Sequence, residues 1–433
     1  MNHIILVVMI FLVSYVLLKN RKLDYFSVLS LSTLFYYFPA ILGEVRLNTF
    51  DSTTTPLVSE VYIVILVFIL ILFAFIIIND HIVFTVHQRR LGVGNLENKV
   101  KGEDNFSNYS VFFIEILGLG LLVYTYLKYG DITGQFNKMQ LLEEADRFTE
   151  YFKYIALYCF VYSFINDGQW SGLLKSLSLV LIGYTFLLGH RSFVVIGIIG
   201  ILMSRFGMKE KKPLIHLFRK NKFISIFAII GTMFFIFIKG VFNAIITGQF
   251  EIVKNRLMNP DYYINTLLIS EPNTITSNLY YVVRFNMKFG LDEYILGFFQ
   301  LIPGVGGKLS STFAITTFER QLNLMFNNQL DKGVGLASTF LGESYSIAGV
   351  ISELIIVLLV IFIIIWCVKQ QYSTKNNLVS AYFSVILPYF TFYIHRNSFI
   401  FLLVTARAYL YILIFTLAFR GIIKSIFYRK GQL

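Results

Sequence analysis

Charge is scarce in this chain. Only 14% of its 433 residues are Asp, Glu, Lys or Arg, against about 25% in an ordinary soluble domain. With 56% hydrophobic residues and a mean hydropathy of +0.68, a soluble globular fold is excluded and a polytopic membrane protein is expected. Cysteine is scarcer still. The two present, Cys159 and Cys367, both lie in apolar runs, which argues against a disulfide framework and against a zinc site. The six histidines are scattered without metal-ligand spacing. There is no Gly-x-Ser-x-Gly elbow, no Cys-His arrangement and no internal repeat beyond two four-residue echoes. Pro303-Gly304-Val305-Gly306-Gly307-Lys308 has the wrong spacing for a phosphate loop, because Ile302 and Leu309 stand where Gly and Ser/Thr are needed. A nucleotide site is therefore rejected, and neither a metal nor a cofactor is expected. The first basic cluster, Lys19, Arg21 and Lys22, follows an apolar run instead of preceding it, which argues against a secretory signal.

Long apolar runs fill the chain. A bilayer crossing needs about 20 apolar residues, and about 11 such runs are expected, near residues 3–18, 25–44, 60–78, 109–127, 152–166, 172–189, 192–206, 222–246, 347–368, 378–394 and 399–419. The expected organisation is transmembrane helices 1–8 over residues 1–246, one large external loop over 247–335, and helices 9–11 over 336–433.

The net charge of +12 does not point to nucleic acid, because excess Lys and Arg in a membrane protein marks cytoplasmic connections. Of the 37 Lys and Arg, 21 fall on one alternating set of connections and 12 on the other, seven of those 12 in the long loop. The lopsided short loops place the N-terminus outside and the C-terminus in the cytoplasm.

Two basic turns then face outward. Gly189-His190-Arg191-Ser192 separates two apolar runs, and His395-Arg396-Asn397-Ser398 separates two more. An arginine on the charge-poor face needs a partner or a task. The bland alternative is an arginine that caps helix carbonyls or pairs with a glutamate. Glu343 and Tyr345 lie in a small-residue stretch, Gly333–Glu353, whose 336–347 portion is expected to be partly re-entrant and to set Glu343 at the level of the two turns. Glu353 and Arg407 are expected to neutralise each other. Glu115 and Lys239 have no obvious partner. In the long loop, Thr276–Leu301 has helical apolar spacing and is expected to lie on the membrane surface, with Arg284 and Lys288 sharing a face. Its aromatics, from Tyr262 and Tyr263 through Tyr280, Tyr281, Phe285, Phe289, Tyr294, Phe298 and Phe299, suit either stacking on sugars or an interfacial belt.

External arginines suit a phosphate, which guanidinium holds bidentately. A carboxylate such as Glu343, or the imidazole of His395, suits general-base work on a hydroxyl. Arginine can offset charge developing on a departing diphosphate. That combination describes glycosyl transfer from a lipid diphosphate to a sugar hydroxyl.

On these residues the chain resembles the Wzy-type oligosaccharide repeat-unit polymerases, which include the O-antigen polymerases. The layout matches over the whole length. Gly189-His190-Arg191-Ser192 looks like the family's Gly-x-Arg-Ser element, and Ser338, Gly342-Glu343, Tyr345 and Gly349 look like its Ser-…-Glu-x-Tyr-…-Gly stretch. A loop arginine with glycine eleven positions on, described in some members, is absent at both Arg256 and Arg284. The resemblance implies a GT-C-like helical bundle in the bacterial plasma membrane with its site facing outside. The substrate would be a repeat unit on undecaprenyl pyrophosphate, delivered by a flippase and polymerised into O-antigen, capsule or exopolysaccharide. A chain-length regulator is a further expected partner, and nucleic acid is not. His190, Arg191, Arg284 and Arg396 would hold the diphosphate. Glu343 would be the base, with His395 second. The alternatives are an O-antigen ligase and a lipid-linked oligosaccharide flippase.

Overall fold

The computed structural model describes residues 2–19, 24–46, 54–90, 104–130, 151–166, 171–206, 241, 244–245, 247–260, 262–263, 271–302, 318, 321–322, 338–374 and 376–429, the backbone alone at 81–90, 104, 206, 428 and 429. The expected crossing at 222–246 apart from residues 241, 244 and 245, the turn 303–308 and Lys239 lie outside this described set.

The described residues are overwhelmingly helical. Helices α1 (Asn2–Leu18), α2 (Tyr25–Tyr36) and α3 (Phe38–Leu42) precede a two-residue hairpin, β1 (Glu44–Val45) with β2 (Thr55–Pro56). Then come α4 (Ser59–Arg90), α5 (Asp104–Tyr129), α6 (Tyr151–Ile165), α7 (Ser171–Leu187) and α8 (Arg191–Phe206). The loop region contributes α9 (Phe250–Met258), α10 (Glu271–Arg284), α11 (Leu291–Phe298) and the 3-10 turn η1 (Phe299–Leu301). Last are α12 (Phe340–Ala348), α13 (Val350–Ser373), α14 (Asn377–Thr391), the 3-10 turn η2 (Ile394–Arg396) and α15 (Phe399–Arg429).

Among the described residues, four helical stretches are long and apolar enough to cross a membrane: Ser59–Asp80, Asn105–Tyr129, Val350–Ser373 and Phe399–Phe427. Helices α1, α2, α6 and α7 are shorter and apolar. The set is compatible with an all-α membrane protein.

The chain divides into two compact units. The first comprises Met1–Asp80, Met208–Ile361 and Phe392–Phe401, and the second His81–Gly207, Phe362–Thr391 and Leu402–Leu433. In the first unit α1 buries Ile5, Met9, Leu12 and Val16, one stripe at alternating spacings of four and three residues. Helix α2 starts where the Asp24 side chain accepts from the Ser27 amide at 2.9 Å, satisfying an N-terminal donor. The run 25–44 is not one helix. It breaks at Tyr37, because Pro39 has no amide to continue the helical ladder and its ring crowds the preceding turn.

The loop region departs from expectation as well. Thr276–Leu301 is not one surface helix. The chain leaves α10 after Arg284, passes Asn286 at φ 48°, and starts α11 at Leu291. Nor does α10 lie on a surface. It buries Ile275, Thr276, Leu279, Val282 and Val283, residues from more than one face, and packs against α2, α3 and α12. The Asn273 side chain clasps the backbone of Arg46, accepting from its amide at 2.9 Å and donating to its carbonyl at 2.8 Å. Lys288 therefore falls beyond the helix end and shares no helical face with Arg284. Tyr280, Phe289 and Tyr294 are buried core residues.

In the second unit α6 is the central helix. It is buried nearly all round and packs on α5, α7, α8 and α14, as an apolar helix without a polar face must be. Its hydroxyls are satisfied inside: Tyr158 donates to the Leu378 carbonyl at 3.1 Å and Tyr162 to Asn108 at 2.9 Å. Helices α8 and α14 approach so closely that a Cβ on Gly200 would stand 2.3 Å from the Ser384 carbonyl oxygen. Small residues permit such packing between apolar helices. Ser204, Ser384 and Gln371 then hydrogen-bond together beside it at 2.7–3.0 Å.

Candidate functional site

The second basic turn is the best-defined polar feature of the first unit. Helix α15 begins at Phe399, and Ser398 caps it by accepting from the Phe401 amide at 3.2 Å. The residues just before it, Tyr393 to Asn397, form tight backbone turns around η2. Helices α2, α10 and α12 pack against η2.

Glu343 arrives from α12. Thr339 caps that helix by accepting from the Gly342 amide at 3.3 Å, and Gly349 separates the helix from α13. Glu343 thus sits on a distinct nine-residue helix, not on the crossing that follows. Its Oε2 accepts the Phe399 amide at 2.5 Å. A carboxylate is well placed there, since the first amides of α15 carry the positive end of the helix dipole. The side chain is 1% exposed. Tyr294 is the nearby phenol. Burial pushes it above its ordinary pKa and the Glu343 charge pushes it further.

Arg396 pairs with Glu271, the first residue of α10, in a hydrogen-bonded salt bridge. Both side chains remain 30% exposed. The guanidinium also lies 5.4 Å from the Tyr393 ring centroid. Arg396 therefore matches the bland alternative of an arginine paired with a glutamate, while its remaining donors stay at a partly exposed edge. Glu271 was missed from the sequence. It lies 125 residues before Arg396 and carries no local signal of pairing.

His395 is fully buried. The rings of Tyr36, Tyr37 and Phe68 surround it with centroids 5.3–5.6 Å away. Its Nε2 lies 3.2 Å from the Ser32 hydroxyl and 3.3 Å from that of Thr33. Both hydroxyls donate to the Leu29 carbonyl, so they are left to accept, and Nε2 carries the ring hydrogen. Burial lowers the imidazole pKa to about 3, which keeps the ring neutral. The unfolded chain, with a histidine pKa near 6.5, then binds more protons than the folded one between about pH 3 and 6.5. Stability conferred by neutral His395 is complete above about pH 6.5 and is lost as pH falls, by up to about 1.4 kcal/mol per pH unit. Thermal unfolding in detergent at pH 7 and pH 5 checks this: His395→Gln should flatten the acid-side decline seen in the wild type.

Arg284 ends α10 and is exposed, where a cation complements the helix C-terminus. Next to it, Tyr281 and Phe285 stack with centroids 5.7 Å apart, Phe285 being 60% exposed. Of the loop aromatics, this pair is the one presented for stacking. Tyr262, with Ile252, Asn255, Arg256 and Asn259, lines an open groove of about 500 Å³.

His190 and Arg191 belong to the second unit. Gly189, at φ 84°, closes α7. The His190 amide reaches the Thr185 carbonyl at 3.1 Å and the Gly189 amide the Phe186 carbonyl at 2.9 Å. This is the Schellman closure, which demands a left-handed residue and so favours glycine. It lets the next helix start after a single residue, with Arg191 half-buried at the first position of α8.

Glu353, in the first turn of α13, is buried, and neither of its oxygens has a hydrogen-bond partner among the described residues. Neutralisation by an ion pair therefore does not account for it. The pair expected with Arg407 is not formed at either oxygen. No group of three or more metal-ligating side chains occurs among the described residues. Compared with protein-family models, with characterised proteins and with solved structures, the chain matches none.

Proposed function

We propose that this chain is a membrane glycosyltransferase that polymerises undecaprenyl-pyrophosphate-linked oligosaccharide repeat units at the outer face of the bacterial plasma membrane. The observation that supports it best is the meeting of Glu343 with the start of α15, next to the partly exposed Arg396. One carboxylate and one guanidinium from distant parts of the chain converge on a four-residue turn between apolar helices.

In this proposal Glu343 takes the proton from the acceptor sugar hydroxyl as that oxygen attacks the anomeric carbon of the donor. The bond from that carbon to the diphosphate breaks, and arginine offsets the charge that builds on the departing lipid diphosphate. Arg191, Arg396 and Arg284 are the candidates for that task, with His190 beside the first. Arg396 would exchange part of its hold on Glu271 for phosphate oxygens. Because Glu343 is covered, base catalysis requires the cover to open when substrate binds. His395 fits a positioning role better than the second-base role, since its closed ring cage holds η2 in place. The proposed architecture is a GT-C-like bundle of about 11 crossings, with the N-terminus outside and the C-terminus in the cytoplasm. The expected partners are a flippase, a chain-length regulator and the surrounding lipid.

Deleting the gene and resolving the cell's surface glycan on a gel tests this. A polymerase leaves single repeat units attached. Loss of attached glycan with long polymer still on its carrier lipid would identify a ligase instead. Units trapped on the inner face would identify a flippase.

A further inference from the structure

Several polar groups that the proposed reaction does not use gather at one buried place in the first unit. Glu353, in the first turn of α13, is 0% exposed, with no hydrogen-bond partner at either oxygen among the described residues. Tyr37, at the break between α2 and α3, is also 0% exposed and lies within electrostatic reach of Glu353. Its hydroxyl is likewise without a hydrogen-bond partner. The Thr339 side chain lies against it, outside bonding geometry. The Tyr37 ring meets the His395 ring edge-on at 5.3 Å. With Nε2 of His395 holding the ring hydrogen, Nδ1 is a bare acceptor, and it too has no partner. The α2–α3 break, the start of α13, the cap of α12 and the η2 turn each bring one member.

An ionised carboxylate in this setting would be costly. Burial without pairing penalises the anion by several kcal/mol, and such a group takes up a proton instead. The titratable groups in this cluster are Tyr37 and His395, both neutral, with the Thr339 hydroxyl beside them. Among the described residues, no side chain pairs with Glu353. Arg396 is engaged with Glu271. A proton on Glu353 removes the charge that this setting cannot solvate.

We propose that Glu353, beside Tyr37 and the His395 cage, is a buried proton-binding site that holds its proton at neutral pH. The site is independent of the glycosyl-transfer proposal. An intramembrane carboxyl is seldom retained without a task, and this one is linked through Tyr37 and His395 to the turn that carries Arg396.

Infrared difference spectra of the purified full-length protein, wild type against Glu353→Gln, test it between pH 5 and pH 9. The wild type should show the carbonyl stretch of a protonated carboxyl at pH 7 that the variant lacks. Tyr37→Phe should shift that band by removing the phenol dipole near the carboxyl. A wild-type spectrum at pH 7 no different from that of Glu353→Gln in this region would overturn the proposal. Should Glu353→Gln not fold, dicyclohexylcarbodiimide decides on the wild type. The reagent adds across its C=N bond to a protonated carboxyl in apolar surroundings, without a leaving group. Mass spectrometry should find Glu353 modified at pH 7, with less modification as pH rises. An unmodified Glu353, or modification suppressed by sodium chloride at constant ionic strength, would overturn it, the latter by showing a metal cation in the proton's place.

Discussion

Glu343→Gln should abolish polymer formation while the protein still inserts and folds. Loss of a general base costs about 10²–10⁴-fold in rate, enough to leave single units on a gel. Glutamine keeps an oxygen that can accept the Phe399 amide, which Glu343 now holds at 2.5 Å. The start of α15 therefore stays capped, and the lost charge costs the fold about 0.3–1 kcal/mol of helix-dipole interaction. Glu343→Ala separates the two roles further. It strands the buried amide, at about 1–3 kcal/mol, and should lower the melting temperature as well as the activity. Melting and polymer length measured on both variants distinguish a base from a mere cap. Normal polymer from Glu343→Gln would remove Glu343 from the chemistry.

Arg191→Ala should have the second large effect, a fall of about 10²–10³-fold in transfer, the range seen when one charge-stabilising donor is removed. Arg191 is the first residue of α8, where the helix dipole disfavours a cation by about 0.3–1 kcal/mol, and the Gly189 closure of α7 uses backbone groups alone. If the residue serves the chemistry, transfer should fall far more than thermal stability. Arg191→Lys keeps the charge but not the planar fork, and should recover only part of the activity. An Arg191→Ala protein that melts early and turns over normally when folded would assign the residue to structure.

Much of the helical layout could be read from apolar runs. Helices α1, α6, α7 and α8 lie where hydropathy places them, because each run ends at charge or at glycine and nothing inside breaks the period. Gly189 announced its turn for a local reason, the left-handed residue that closes α7. Features set by distant packing were not legible. Pro39 divides a run that hydropathy alone reads as one crossing. Helix α10 has the apolar spacing of a surface helix, yet α2, α3 and α12 bury it on several sides, and only tertiary neighbours decide how many faces a helix buries. The turn at His395 was visible as residue types, but its arrangement was not. The Glu271 partner of Arg396, the hydroxyls of Ser32 and Thr33 at His395, and the Phe399 amide at Glu343 are long-range pairings without a spacing rule. His395 shows the cost of reading residue type alone, since an imidazole that looks like a base from the sequence lies sealed among aromatic rings.

One reconstitution bears most directly on glycosyl transfer from a lipid diphosphate. The purified full-length protein would be placed in liposomes with undecaprenyl-pyrophosphate-linked repeat units and no nucleotide. Glycan length and released lipid diphosphate would then be followed together. A polymerase yields chains of two or more repeats, with one lipid diphosphate released for each linkage formed. Units that stay single, with no lipid diphosphate released while they cross the bilayer, would contradict glycosyl transfer and make the protein a transporter.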